Sequence, residues 1–539
     1  MLCGYVSDER YMALCDAVVE FTTNGRTVAV VRSAPSGAVY ADIAPGAYQV
    51  VLHKPGYSAK RVNITVSAEH PYHFRMLSDR LLGYMWPKWV RSSERSEFRV
   101  HSTTPYRLSL WRYGWEKVLI RPLGWFDEHG PRAVMQVTPD GDYTQTGVRW
   151  NSQGYGSLHH TQFVAGPEQS GLYYLHAENE AGDFFAFPWV VAPAKPTHPI
   201  AVLASTNTWN AYNNFGGRSN YINALCLPTT PTVNARLDLP RYAGSGFSEW
   251  HAPNDAYAPL SFDRPEVENT VPRHARVLDP VPGRLASSLA PAEWRLLGWL
   301  EREGFAYDLY ADAQLHDGTL DLDAYTILIL SVHPEYWSRT MFERVKEWVD
   351  QRGGKLMYLG GNGLNCEVEF LDNMTMRCKT QLLSSDGSLG MRDPQNPDVY
   401  FESRFHATVA PEASLLGVVT TETGIMTAAP YRVAHADHWV FEGTGLQNGD
   451  CFGAESLHER CPGGASGHET DKMSPSSPES TVLLAKGLNP DDGGAEMVYY
   501  TTRSGGAVFS VGSITWPLAL LVDLHVSRIT SHVIYRFLI

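Results

Sequence analysis

The hydrophobic pattern of this 539-residue chain changes near residue 196, and that change limits the folds open to it. Before residue 196, short segments alternate apolar and polar residues and are separated by Asn-Gly and Pro-Gly turns. After it, continuously apolar segments at 200–205 (IAVLAS) and 325–331 (YTILILS) alternate with helical ones such as 339–354. The first pattern is typical of antiparallel strands, and the second is typical of a mostly parallel sheet that is covered on both faces.

A chain of this length is too long for one hydrophobic core, so several domains are expected. We predict a small β-sandwich over residues 1–78 and a second, immunoglobulin-like β-sandwich over 79–195. The Pro-rich 192–199 (APAKPTHP) then acts as a linker. Residues 196–539 are predicted to form an α/β doubly wound domain, in which Ser338 caps the helix that follows the strand at 325–331.

Composition and charge narrow the classes of partner. The net charge of −14 argues against nucleic acid or an anionic membrane as a binding partner. The chain contains no run of 18 apolar residues, so no membrane-spanning helix is predicted. The N-terminus has no basic start followed by an apolar segment, so no secretory signal is predicted. Seven scattered cysteines without a CxxC pair indicate reduced thiols, and we expect a cytoplasmic protein.

Three polar loops follow predicted strands: 204–221, 333–338 (HPEYWS) and 360–363 (GGNG). In open α/β sheets, ligands bind beyond the carboxyl ends of the strands, so these loops predict a binding site at one edge of the sheet. Within the loops, we predict Asn214 and Asn362 as substrate-binding residues.

His333 and Glu335 lie two residues apart in the second loop. Alternate residues of an extended segment share a face, so the pair could bind a metal or act as an acid and a base. The alternative is that His333 bonds a backbone group and Glu335 caps the following helix. No GxSxG motif occurs in the chain, but Cys366 follows the third loop, and a thiol hydrolase therefore remains an alternative.

Several of these motifs occur in an order that resembles a known family. The order is NAYNN (210–214), GRSNY (217–221), HPEYWS, GGKLMYLGGNG (353–363), GGASGHETD (463–471) and GAVFSVGSITW (506–516). It resembles the catalytic large-subunit domain of N,N-dimethylformamidase over residues 196–539. The resemblance implies a glutamine-amidotransferase-like catalytic domain and hydrolysis of the C–N bond of a small linear amide.

The resemblance also implies one mononuclear Fe(III) per chain, held by two tyrosine phenolates and one glutamate. Carried over by motif, these ligands are Tyr212, Tyr221 and Glu335. His333 is then an acid–base residue and Glu469 the general base. Anionic oxygen donors suit a hard cation such as Fe(III) better than zinc, which prefers nitrogen and sulfur.

Some alternatives stay open. Tyr242 and Tyr257 precede Glu335 in the same long segment, and either could replace Tyr221 as the second tyrosine ligand. The family's small subunit and its substrate do not transfer directly, because two β regions stand in front and residues 227–257 form an insertion. A homo-oligomer is possible. The competing function is a non-catalytic binding protein whose β regions recognise a polysaccharide or a protein.

Overall fold

The computed structural model describes residues 1–126, 138–150, 162–233, 257–283, 285–379, 391–392, 400–421 and 423–539. Within these residues the chain is rich in strands, which form several separate sheets. The predicted multidomain, strand-rich architecture is therefore confirmed. The three domain boundaries and the glutamine-amidotransferase-like catalytic domain stay predictions.

The first β region folds as two sheets, in the orders β4-β1-β7 and β3-β2-β5-β6, which enclose one core. Val6 and Phe74 of the first sheet meet Phe21, Val50 and other side chains of the second. Strands in this region end at Asn-Gly and Pro-Gly turns, because glycine readily adopts the positive φ that a tight turn needs. The strands are β1 (Leu2–Ser7), β2 (Val18–Thr23), β3 (Arg26–Arg32), β4 (Ala38–Tyr40), β5 (Gly46–Lys54), β6 (Tyr57–Val66) and β7 (Tyr72–Arg75).

The second β region also has two sheets, in the orders β13-β10-β8 and β12-β11-β14-β15-β9. Tyr173 and Leu175 of β14 face the core between these sheets, whereas Leu172 and Tyr174 face the core of the following region. Strand β14 is therefore buried on both faces of the larger sheet. The strands are β8 (Leu82–Trp86), β9 (Trp89–Arg91), β10 (Arg95–His101), β11 (Tyr106–Tyr113), β12 (Lys117–Phe126), β13 (Phe163–Ala165), β14 (Gly171–Asn179) and β15 (Phe184–Ala192).

The remaining residues are organised around a nine-stranded sheet in the order β18-β16-β19-β21-β34-β33-β32-β28-β29. The first five strands are parallel neighbours, as their continuous apolar sequences predict. These strands are β16 (Ile200–Ala204), β18 (Asp308–Ala311), β19 (Ile327–Val332), β21 (Lys355–Gly360) and β34 (Ala507–Ser510).

Helices cover both faces of the parallel strands. Ile327 and Ile329 pack on one face, and Leu328 and Leu330 pack on the other. The first face meets the helices Ala290–Arg302 and Leu524–Leu538, and the second meets the helix Arg339–Arg352. The helices are α1 (Thr206–Tyr212), α2 (Ala290–Arg302), α3 (Asp312–Asp317), α4 (Arg339–Arg352), α5 (Arg404–Thr408), α6 (Ala413–Leu416), α7 (Trp516–Ala519) and α8 (Leu524–Leu538).

The other half of the nine-stranded sheet is antiparallel, which the alternation of strands and helices does not predict. Its strands are β28 (Tyr431–Val433), β29 (Cys451–Phe452), β32 (Val482–Gly487) and β33 (Glu496–Thr501). A short connection joins β32 to β33, and such a connection allows only antiparallel pairing. Residues 380–480 are polar and rich in Gly, Ser and Pro, without a clear hydrophobic pattern, and two strands of this half of the sheet, β28 and β29, lie within them.

Small sheets lie around the large one. A four-stranded sheet has the order β17-β23-β22-β20, and three further sheets pair β24 with β25, β26 with β31 and β27 with β30. The strands are β17 (Leu260–Ser261), β20 (Tyr336–Trp337), β22 (Cys366–Phe370), β23 (Thr375–Lys379), β24 (Met391–Arg392), β25 (Tyr400–Phe401), β26 (Val419–Thr421), β27 (Thr427–Ala429), β30 (Ser466–His468) and β31 (Thr470–Lys472).

Among the described helices, none has the length and apolar character needed to cross a membrane. All seven cysteines are free thiols, as their scattered spacing predicts.

The predicted cap of α4 gives a stability test. The Ser338 hydroxyl accepts a hydrogen bond from the Met341 amide at 3.3 Å. We expect Ser338→Ala to destabilise the protein by about 1 kcal/mol, because an amide of the first turn loses its acceptor. The midpoint of urea unfolding measures this loss. Ser338→Thr keeps a hydroxyl and is the matched control, and equal midpoints for the two variants would contradict the capping role.

Candidate functional site

Helix α1 brings the first predicted tyrosine to the edge of the parallel sheet. The helix follows β16 directly, and Tyr212 is its last residue. Thr208 fixes the helix to the HPEYWS loop: its hydroxyl donates to the His333 carbonyl at 2.7 Å and accepts from the Glu335 amide at 3.2 Å. The NAYNN and HPEYWS motifs, more than 100 residues apart in sequence, therefore meet as one unit.

The Glu335 carboxylate lies at the centre of a cluster of oxygens. The Tyr212 hydroxyl donates to Glu335 Oε2 at 2.9 Å, and the Tyr221 hydroxyl lies 3.0 Å and 3.1 Å from the two carboxylate oxygens. The two phenol oxygens are themselves 3.0 Å apart. Glu335 has no solvent exposure. Three oxygen-bearing side chains thus converge on one buried point.

His333 connects this cluster to a second carboxylate. Its Nε2 lies 3.3 Å from Glu335 Oε2 and 3.3 Å from Glu469 Oε2. The Glu469 side chain keeps 19% of its exposure, so it lies nearer to solvent than Glu335 does. The predicted common face of His333 and Glu335 thus corresponds to a direct contact between the two side chains.

Asn362 holds Glu469 from the other side. Its Nδ2 donates to Glu469 Oε2 at 2.7 Å, and its backbone amide donates to Asp471 Oδ1 at 2.9 Å. Asn362 has a φ of 49°, a left-handed conformation that asparagine tolerates better than most residues. A Cβ on Gly361 would lie 2.7 Å from the Glu469 carbonyl, so only glycine lets the GGNG turn approach the GGASGHETD segment this closely.

Buried charge shifts the pKa values of these groups. Burial and the neighbouring Glu335 carboxylate raise the pKa of Tyr212 and of Tyr221 well above the usual value. Burial alone would lower the pKa of His333, but hydrogen bonds to Glu335 and Glu469 outweigh it and raise this pKa to about 10. Burial would likewise raise the pKa of Glu469, yet its contact with His333 lowers this pKa to about 2. The site therefore holds two neutral phenols, an imidazolium and an ionised Glu469.

Sequence reasoning missed two residues of the cluster. The Tyr336 hydroxyl donates to the Tyr221 hydroxyl at 2.7 Å, and Arg404 Nη2 lies 3.4 Å from Glu335 Oε1. Tyr336 directly follows Glu335 in the HPEYWS motif, and this position next to a predicted ligand is the sequence feature that could have identified it. Arg404 comes from the polar stretch without periodicity, where nothing in the sequence singles it out.

The other predicted residues are placed differently. The Asn214 backbone carbonyl accepts a hydrogen bond from the Gly217 amide at 2.9 Å, and no side-chain hydrogen bond joins Asn214 to the described part of the cluster. Tyr257 is buried in the apolar cluster that also contains Tyr221. Tyr242 lies outside the described residues, as does most of the insertion at 227–257.

Cys366 lacks the surroundings of a nucleophile. It lies on β22, is fully buried, and its Sγ donates to the Glu367 carbonyl at 3.5 Å. Burial raises the pKa of this thiol well above its usual value. A reactive cysteine needs the opposite, a lowered pKa and access to substrate.

The donor set of the cluster fits a hard metal ion. Two phenol oxygens and a carboxylate, all within 3.1 Å of one another, are anionic oxygen donors once the phenols lose their protons. Among the described residues, no group of three or more His, Cys, Asp or Glu side chains is arranged to hold a metal. Any ion bound here would therefore depend on the tyrosines.

Known proteins resemble this chain over much of its length. A sequence model of the family described as N,N-dimethylformamidase beta subunit-like, C-terminal, matches residues 108–528. The N,N-dimethylformamidase beta subunits of an Alcaligenes species and of Paracoccus aminophilus are each 25% identical over 466 residues, which cover 72% of this chain and 58% of the relative. The chain thus spans less than two thirds of the length of these relatives, and both are named as a beta subunit.

A solved structure of fibronectin(III)-like modules of Clostridium thermocellum CbhA covers 36% of the chain and 94% of its own length. Its sequence identity is 10% and its TM-score 0.12, so it supports no argument about fold or function. The family match has more weight. It begins at residue 108, inside the second β region, and so extends further towards the N-terminus than the expected start at residue 196. Because this match covers more than half of the residues, the chain belongs to the N,N-dimethylformamidase beta subunit-like family.

Proposed function

We propose that this chain hydrolyses the C–N bond of a small amide at a single metal ion held by Tyr212, Tyr221 and Glu335. Membership of the family supports the reaction class. The observation that carries the metal site is the convergence of two phenol oxygens on one buried carboxylate. A buried anion next to two phenols costs solvation energy, and a bound cation would offset that cost.

Iron(III) fits these donors, and when bound it would supply a Lewis acid that polarises an amide carbonyl. The protein supplies the charge balance around it. The Arg404 guanidinium lies beside Glu335, and the protonated His333 lies between the two carboxylates. Tyr336 donates a hydrogen bond to the Tyr221 oxygen, which would stabilise the phenolate form of Tyr221.

Glu469 and His333 carry the proton transfers in this proposal. The ionised Glu469 carboxylate, which keeps part of its solvent exposure, accepts a proton from the water that attacks the carbonyl carbon. His333 Nε2 donates its proton to the leaving nitrogen and is reprotonated from Glu469, 3.3 Å away. The products are a carboxylic acid and an amine, so one water is consumed and no redox partner is needed.

Asn362 holds the base in position. Its amide donates to the Glu469 oxygen that also contacts His333, so the carboxylate keeps one orientation. Asp471 in turn fixes the Asn362 backbone. In the active site, Asn362 therefore acts through Glu469 as well as through any contact that it makes with substrate.

Metal analysis tests the ligand set. We expect about one iron per chain in protein purified without chelators, with a visible phenolate-to-iron absorption band. Tyr212→Phe and Tyr221→Phe should each lower the iron content strongly and remove or shift the band, because each deletes one anionic donor. Tyr257→Phe is the matched control: it alters a buried tyrosine of the same apolar cluster and should keep both iron and band.

Two results would contradict the ligand assignment. Full iron content in Tyr212→Phe would exclude that phenolate as a ligand, and loss of iron in Tyr257→Phe would make Tyr257 the second tyrosine. A wild-type chain that binds no iron, even after reconstitution, and cleaves no amide would instead favour the non-catalytic binding protein. Retention of that chain on immobilised glycans would support this alternative directly.

Substitution of the base tests the proton transfer. We expect Glu469→Gln to lower kcat for amide hydrolysis by about 10²–10⁴-fold, because the amide cannot accept the proton of water. Its iron content should stay near that of the wild type, since Glu469 is not a proposed ligand. Glu455→Gln, an exposed substitution in the same part of the chain, is the control. Wild-type kcat in Glu469→Gln would exclude the proposed base.

Alkylation tests the alternative cysteine mechanism. We expect iodoacetamide to label the exposed Cys15, Cys226 and Cys451 in the native chain but not Cys366, because its thiol is buried and its pKa is raised. Amide hydrolysis should survive this treatment. Mass spectrometry of the labelled peptides gives the site of modification. Labelling of Cys366 that runs in parallel with loss of activity would instead support a thiol hydrolase.

A further inference from the structure

Residues 213–220, here called the tyrosine loop, join Tyr212 to Tyr221 and so connect the two proposed phenolate ligands. The loop belongs to the third region of the chain by sequence. Several of its contacts, however, are made with the two β regions that precede it. This raises the question of what those β regions do for the site.

The first β region holds the middle of the tyrosine loop through its backbone. The Gly216 amide donates to the Glu9 carbonyl at 2.6 Å, and the Gly216 carbonyl accepts from Arg75 Nη2 at 2.8 Å. Gly217 has a φ of 94°, and a Cβ there would lie 2.5 Å from Tyr11 Cβ. The first β region therefore packs directly against the loop at a point where only glycine fits.

Arg75 is a buried cation whose hydrogen bonds go mainly to backbone carbonyls. Its side chain has no solvent exposure and lies between the rings of Tyr11 and Tyr143, at 5.1 Å and 4.6 Å from their centroids. The planar guanidinium fixes several directions at once, which a lysine cannot do. Besides Gly216, it donates to the carbonyls of Asp8 and Gly141 and to the Tyr143 hydroxyl.

The second β region contacts the loop at Phe215 and at Arg218. The Phe215 ring packs in the core of that region, 6.0 Å from the Tyr143 ring and 6.4 Å from the Trp150 ring. Arg218, fully buried, donates from Nε to Asp142 Oδ2 at 2.9 Å. One loop residue thus contributes to the core of the second β region, and another forms an ion pair with it.

A third buried arginine, Arg264, also holds the loop. Arg264 Nη1 donates to the Phe215 carbonyl at 2.6 Å, and its Nη2 donates to Asn210 Oδ1 at 3.1 Å. The backbone of the loop is therefore held by Arg75 at the Gly216 carbonyl and by Arg264 at the Phe215 carbonyl. Its two ends emerge at the Glu335 carboxylate, where the phenol oxygens are 3.0 Å apart.

We infer that the two N-terminal β regions position the tyrosine pair for metal binding, and that Arg75 is the positioning residue that couples them to it. The metal-binding part of this inference rests on the proposed function. Arg75 touches neither ligand, and it acts through the backbone of Gly216. Supporting groups of this kind hold metal ligands in a fixed orientation, so loss of one weakens metal binding without removing a ligand.

Hydrogen exchange in the metal-free, full-length chain tests the coupling first. We expect Arg75→Met to increase the exchange rate of amides in 213–221 about tenfold or more, because a buried charged hydrogen bond to Gly216 is lost. Exchange in β19 should not change. Lys60→Met is the matched control, since Lys60 is a buried cation of the same region that contacts Arg75 O, Thr138 O and Asp140 but not the loop.

Metal affinity is the second measurement. We expect Arg75→Met to raise the iron dissociation constant by about 10–100-fold, and Lys60→Met to raise it far less. Arg75→Lys keeps the charge but loses the planar fork, so it should give an intermediate increase in both measurements. If Arg75→Met does not fold, Arg75→Lys decides the outcome.

Unchanged exchange in 213–221, with faster exchange confined to β1 and β7, would overturn the inference and leave Arg75 as a support of its own region. An equal effect of Lys60→Met on 213–221 would overturn the specific role of Arg75. A wild-type chain without iron would refute the proposed function, yet the exchange result would still decide whether Arg75 fixes the loop.

Discussion

The arrangement of this site depends on one buried carboxylate. Glu335 has no contact with solvent, so its negative charge must be stabilised within the protein. Two phenols at the ends of the tyrosine loop, the imidazolium of His333 and the guanidinium of Arg404 surround it. An isolated carboxylate would be too costly at this depth, and the groups that stabilise it are those through which we propose metal binding and proton transfer. Side chains that stabilise the buried Glu335 charge are thus also those to which we assign metal binding and proton transfer.

Many elements of the fold and of the site could be predicted from the sequence, because they depend on local sequence rules. The continuous apolar strands, the Ser338 cap and the glycine turn at 360–363 are local signals, and the structure has the corresponding elements. Because parallel strands end at the same edge, the loops that carry Tyr212, His333 and Asn362 were expected to lie together, and their side chains do. The roles of these residues stay predictions until they are tested.

What could not be predicted has a physical reason in each case. Arg404 reaches Glu335 from a stretch without hydrophobic periodicity, so no pattern marks it. Two strands of the antiparallel half of the large sheet, β28 and β29, have only 3 and 2 residues, which is too short for a recognisable alternation of apolar and polar residues. The β regions contact Gly216 through the Glu9 carbonyl and through the guanidinium of the buried Arg75. Sequence periodicity reports which side chains are buried, but it does not report which carbonyl a distant guanidinium will bind.

The tyrosine loop also bears on how the chain folds. Arg75 and Gly216 are 141 positions apart, so their hydrogen bond closes a long stretch of chain and costs more entropy than a local contact. Synthesis proceeds from the N-terminus, and the strands around Arg75 are therefore complete before Gly216 is added. The two β regions can therefore act as a preformed surface against which the tyrosine loop packs. The oxygens around Glu335 would then reach their final spacing only in the last stages of folding, when distant parts of the chain have met.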